Sequence, residues 1–171
     1  MTTTSAVPAV IDYLVAAAQN SPLLGAATPQ VFVFDGPQPP VKTQSLNQVL
    51  WIGCDAPNPD AVFADATQSW ALLDHARTKD EDGVITCSAQ HWSGDPSVKV
   101  HRDGAAAIVA GVETLLRGDG STGPGDATMG RLAMWSGTDV GRWETRQLAG
   151  GVAVLCTFTV VYRVRLVTTG A

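Results

Sequence analysis

Apolar residues recur along this chain with two different periods. From Ser5 to Gln19 the spacing is helical: Val10, Leu14 and Ala17 share one face, joined by Ile11 and Ala18. Pro8 fits the first turn, where a missing N–H costs nothing, and Asn20-Ser21-Pro22 ends the helix. Ser97 to Arg117 repeats the pattern, with a core stripe of Ala105, Ile108, Val112 and Leu115 flanked by Val109 and Leu116. Its second face, Gly104, Ala107 and Gly111, is made of small residues and predicts close approach of another backbone, of this domain's own sheet or of another subunit. Elsewhere the period is two. Strands are expected at Val31–Phe34, Leu46–Cys54, Val84–Trp92, Met129–Ser136 and Arg142–Leu148. Lys79–Gly83, KDEDG, reads as an acidic turn within a hairpin spanning Ser69 to His91. The stretch from Asn58 to Arg77 fits both spacings.

The last run, Val152 to Val167, has sixteen residues without Gly, Pro or an acidic group. A strand of that length extends roughly 53 Å, against a common length of about 17–20 Å. Val152, Val154, Cys156, Phe158, Val160, Tyr162, Val164 and Leu166 form its apolar set, while Arg163 and Arg165 close the other. A bulge midway would shorten it. The order helix, strands, helix, strands predicts a single α+β domain over residues 1–171. Its sheet is mostly antiparallel, with a long C-terminal hairpin packed by two main helices.

Charge sharpens this picture. The net charge is −5, which does not favour general attraction to nucleic acid or acidic membrane. Residues 1–128 carry six Lys/Arg against fourteen Asp/Glu; residues 129–171 carry five Arg against two. The basic five are Arg131, Arg142, Arg146, Arg163 and Arg165. Guanidinium suits interfaces because it pairs bidentately with carboxylates. An acidic front and a basic back can meet head-to-tail between copies, or can balance each other within one fold. The three cysteines have no CxxC spacing and sit in apolar runs, as free thiols of a reducing compartment do. No basic leader segment and no apolar span of membrane length is read, so no membrane partner is expected.

Candidate chemistry is sparse. The loop Gly118, Asp119, Gly120, Ser121, Thr122, Gly123, Pro124, Gly125 lacks the GK[ST] ending of a phosphate cradle and follows a helix instead of opening one. It reads as a contact loop that orders on assembly. His91 to Asp95, HWSGD, with His101 and Asp103 nearby, holds a histidine and a carboxylate that could do the general acid/base work of a small hydrolase, using His91 and Asp95, if held within hydrogen-bond reach. The plainer reading is a strand end running into a turn, with His91 and Trp92 as edge side chains. His75, His91 and His101 share no metal-ligand spacing. No catalytic residue, cofactor or metal is therefore assigned.

The layout resembles the tail terminator (tail completion) proteins of long-tailed bacteriophages, actinobacteriophage types above all. The features run in order: an N-terminal helix, VFVFDGP, a strand holding Trp51, KDEDGVITCSAQHWSGD, DGAAAIVAGVETLLRGDGS, and RQLAGGVAVLCTFTVVYRVRL. They cover about Val7 to Leu166, and Pro57 to Thr78 matches least. The resemblance implies a structural virion protein without catalytic residues. It implies a homo-hexameric ring, assembled in the host cytoplasm, at the head-proximal end of the tail. Such a ring caps the tube, stops its polymerisation and meets the head–tail connector, and DNA passes through without sequence-specific binding. Partners would be copies of the chain, the tail tube protein and connector proteins. Head–tail connectors or stoppers, other tail completion proteins, and cap proteins of phage-derived injection machines share this size and fold class. The five arginines would then face a neighbouring subunit or the lumen.

Overall fold

In the computed structural model, residues 4–38, 46–58, 60–70, 78–118, 125–148 and 150–167 are described. Two helices, α1 (Val7–Asn20) and α2 (Val98–Arg117), lie against one sheet. Its strands are β1 (Phe32–Asp35), β2 (Gln48–Ile52), β3 (Ala64–Trp70), β4 (Thr78–Ser93), β5 (Trp135–Leu148) and β6 (Gly151–Val167). The order is β1-β2-β4-β6-β5, with β3 on the remaining length of β4. Every pairing is antiparallel except β1 with β2. This is the expected α+β architecture, C-terminal hairpin included.

α1 has Ala6 at its N-cap and buries Val10, Ile11, Leu14 and Ala18. α2 buries His101, Ala105, Ile108, Val109, Val112 and Leu116. These faces join Ile85, Cys87 and Ala89 of β4 and Cys156, Phe158, Val160 and Tyr162 of β6 in one core. A smaller cluster lies across the sheet, where Val49, Trp51, Cys54 and Leu155 pack with Phe34 and Leu46. The small-residue face of α2 meets side chains of its own domain, not another backbone. A Cβ on Gly104 would lie 2.2 Å from the His91 ring, and one on Gly111 2.8 Å from Leu24. Ala107 is exposed.

β6 is one unbroken strand of 17 residues, and the bulge falls in β5, between Val140 and Arg142. Its partner β4 is nearly as long, and Thr78 opposite Val167 through Ser93 opposite Val152 pair without a slip. The acidic segment is therefore not a turn. Lys79 to Gly83 lie inside β4, between Trp70–Ala66 of β3 and Leu166–Tyr162 of β6. The expected hairpin around these residues is therefore replaced by another: β3 (Ala64–Trp70) lies antiparallel to β4 and pairs with the acidic segment itself, and the two strands are joined through residues 71–77, which lie outside the described residues. Acidic residues tolerate a central strand here because each finds a partner. Asp80 faces Arg165 and Asp82 faces Arg163 on the surface away from the helices. Glu81, on the core face, is fully buried. It accepts hydrogen bonds from the Ala6 N–H (2.9 Å), Tyr162 Oη (3.1 Å) and Gln68 Nε2 (2.7 Å). The carboxylate thus sits at the positive end of α1, which has no acidic residue in its first turn.

A second correction concerns Met129–Ser136. Residues 127–132 are turns and the strand begins at Trp135. Asp126 organises this turn: it accepts from the backbone N–H (3.0 Å) and Oγ1 (2.6 Å) of Thr128, from the Gly130 N–H and from Tyr13 Oη (3.0 Å). Met129, Gly130 and Arg131 all take positive φ, of 50°, 68° and 71°. A tight left-handed run, with Gly130 bound to the Asp126 carboxylate, overrides the β-like pattern of the sequence.

Candidate interaction surface

The C-terminal hairpin carries most of the residues singled out from the sequence. Odd positions of β6 from Thr157 onward turn away from the helices, and their cross-strand partners share that face. Four arginines occupy it. At one end, Arg165 grips Asp80 bidentately, Nε to Oδ1 at 2.8 Å and Nη2 to Oδ2 at 3.1 Å. Arg163 reaches the same carboxylate at 3.4 Å and Asp82 at 3.7 Å. The hydrogen bond from Arg165, with the charge of both guanidinium groups, holds the Asp80 carboxyl below the usual carboxylate range. At the other end, Arg142 contacts Asp55 at 3.3 Å and Glu144 at 2.8 Å, and Arg146 contacts Glu144 at 3.3 Å. Thr157 Oγ1 also donates to Asp55. Arg131 stands apart, exposed in the left-handed turn beside β6. So Arg163, Arg165 and Arg142 each find a carboxylate from the acidic part of the chain within the same molecule. Their partners Asp80, Asp82 and Asp55 were missed from sequence. The i, i+2 spacing of Asp80 and Asp82 matches that of Arg163 and Arg165, and was the signal available.

β5 forms one margin of the sheet, and no backbone hydrogen bond reaches its outer edge among the described residues. Its flanks and faces expose Met134, Trp135, Val140 and Trp143, the first three at 46–55 %. Of the Gly118–Gly125 loop, residues 119–124 lie outside the described residues. Its two ends touch, because a Cβ on Gly125 would meet the Gly118 nitrogen at 2.1 Å, and Asp126 N–H donates to Leu115 O at 2.8 Å.

The His91–Asp95 cluster is assembled differently from a His–carboxylate dyad. His91 is no edge residue: it lies between Gln48 of β2 and Val154 of β6. Its Nδ1 meets His101 Nδ1 at 3.0 Å. His101 Nε2 lies 2.8 Å from the Asp95 carbonyl, while the Asp95 carboxylate accepts from the Ser97 N–H at 2.7 Å. A carbonyl only accepts, so neutral His101 donates from Nε2 and accepts at Nδ1, and His91 donates from Nδ1. Burial, and then the neighbouring imidazole, push His91 below its ordinary value of 6.5. The ring pair holds a strand to a helix. An open pocket of about 370 Å³ beside it is lined by Phe32, Leu46, Gln48, His91 and Trp92, and Trp92 Nε1 is buried without an acceptor among the described residues.

All three cysteines are free and buried. Burial raises their thiols, Cys87 to about 12 and Cys156 to about 11, which removes thiolate nucleophilicity near neutrality. Among the described residues, no three His, Cys, Asp or Glu side chains converge as a metal site would require, and no helix is long and apolar enough to cross a membrane.

No protein family model matches the chain, and no curated protein matches it. Among solved structures it is similar to a chain of the "Virion of native gene transfer agent (GTA) particle", at 14% identity and a TM-score of 0.49. The alignment covers 95% of this chain and 99% of that one.

Proposed function

We propose that this chain is a structural protein of a phage-like virion and acts as a tail terminator. In this reading, copies close as a hexameric ring on the head-proximal end of the tail tube. The ring stops tube growth and offers its other side to the head–tail connector, with DNA passing through it.

The observation that carries the reading is the C-terminal hairpin. The features that resemble tail terminators in the sequence end in it, and it unites a 17-residue strand with a 14-residue edge strand whose outer side is unpaired among the described residues. A lone enzyme domain has little use for such an exposed edge; an assembly protein presents it to partners. The residues most suggestive of catalysis, His91 and Asp95, are used to join β4 to α2. The test is particle assembly with the chain omitted. Overlong tubes and tailless heads, seen by electron microscopy, are the expected result. Finished tubes of normal length that fail to join heads would overturn the terminator role in favour of a connector.

A further inference from the structure

Among the described residues, the sheet ends on both sides in strands paired along one edge only. On one side β5 offers fourteen residues of edge. On the other, β1 pairs only with β2, and β3 only with β4, among the described residues. Exposed strand edges template pairing, and monomeric proteins shorten, charge or cover them. Here both margins also carry exposed aromatic residues, Trp135 and Trp143 beside Phe63 and Trp70.

Strand direction says what fits. β5 runs antiparallel to β6, which runs antiparallel to β4, so β5 and β4 point the same way. β2 and β3 run against β4, and β1 runs parallel to β2. Hence β1 and β3 both point opposite to β5. A second copy moved sideways across the sheet, without being turned over, meets β5 with an antiparallel edge and keeps its helices on the same side. Antiparallel pairing is the more stable kind. Charge does not choose between pairings: the β1–β3 margin exposes Asp35 and Asp65, while Arg142 and Arg146 of β5 are matched by Asp139 and Glu144 of the same strand. A two-fold pairing of β5 with β5 would leave the β1–β3 margin bare.

We propose that the chain self-associates head-to-tail, the β5 edge of one copy adding to the β1–β3 margin of the next to give a continuous sheet. Such a contact is heterologous, so successive copies close as a ring or continue as a filament. The inference deepens the ring reading but stands on strand direction and edge exposure.

Cysteine pairing tests it in the full-length protein at its highest soluble concentration. Phe32, Thr67 and Glu144 all lie on the face away from the helices, and Phe32 is level with Glu144 through Val49, Gln90 and Leu155. One variant carries Phe32→Cys with Glu144→Cys; a second carries Thr67→Cys with Glu144→Cys, for copies that slide along the strand axis. The native cysteines are buried and stay out of the reaction. Mild oxidation is expected to give a ladder of covalent multimers from at least one double variant, reversed by reductant, while each single variant stays monomeric. Circular dichroism confirms folding. A dimer from Glu144→Cys alone, or monomers from both double variants, would overturn the head-to-tail contact. A ring closed through other surfaces would still cap tails while leaving both double variants uncrosslinked, so the two readings fail separately.

Discussion

Gly83 shows how one residue fixes the centre of the sheet. A Cβ there would stand 2.2 Å from Tyr162 Cζ, in a ring that is itself buried. Tyr162 cannot retreat without giving up its bond to Glu81, and Glu81 anchors the start of α1. Gly83→Ala is therefore expected to cost about 1–3 kcal/mol through overpacking, read as a lower denaturant midpoint. An unchanged midpoint would mean the ring moves freely. Tyr162→Phe is expected to cost a similar amount, about 1–3 kcal/mol, because a buried carboxylate oxygen loses a donor. The imidazole pair sets a pH dependence. His91 has a folded value below 6.5, so between the two values the unfolded chain binds more protons. Its contribution to stability is complete above about pH 6.5 and is lost as pH falls through the folded value. Denaturant titrations are expected to show this loss in the parent and less of it in His91→Gln; equal slopes would remove the pair from the account.

At the scale of elements, both helices, the core stripe of α2 and the alternation of β6 were legible in the sequence, because a buried face leaves a regular apolar period. The acidic segment was not. Lys79 to Gly83 has turn composition, and what makes it a strand lies some eighty residues away, in Arg163, Arg165 and Tyr162. Local propensity yields to such pairing. The turn at 127–132 was hidden for the opposite reason: one carboxylate, Asp126, binds Thr128 and Gly130 and so fixes a turn whose left-handed residues a period-two reading takes for a strand. The imidazole pair was invisible because its partners come from different elements brought together by the Ser93–Ser97 connection. Pairing also predicts dynamics. Along most of their length β4 and β6 are bonded on both sides, whereas alternate N–H groups of β5 face outward. Hydrogen exchange on the isolated subunit is expected to be slowest in β4 and β6 and fast at alternate positions of β5. Slowing of those β5 amides should accompany assembly. Uniform protection along β5 in dilute subunits would mean that its edge is already covered.

For the whole molecule, the division into an acidic front and a basic back has two readings: balance within the chain or attraction between chains. The ion pairs divide the arginines between them. Arg163 and Arg165 converge on Asp80, whose side chain is only 12% exposed, and so hold β4 to β6 in the same subunit. Arg131 is exposed, and among the described residues Arg146 makes an ion pair only with the neighbouring Glu144, with 44% of its side chain exposed. Exposed pairs contribute about 0.2–1 kcal/mol, so reversing Arg131 and Arg146 leaves a subunit almost as stable as the parent. Reversing Arg163 and Arg165 instead places like charges against Asp80 and Asp82 within the central ladder, and the subunit itself is weakened. The expected outcomes separate cleanly. Arg163→Glu with Arg165→Glu lowers the denaturant midpoint of the isolated subunit, and any failure to cap tails follows from that loss. Arg131→Glu with Arg146→Glu keeps the midpoint and reduces assembly, seen as fewer cross-linked multimers and as irregular tube lengths by electron microscopy. The intramolecular role is refuted if the first variant unfolds at the parent's midpoint, and the contact between copies loses its electrostatic part if the second assembles at the parent's level.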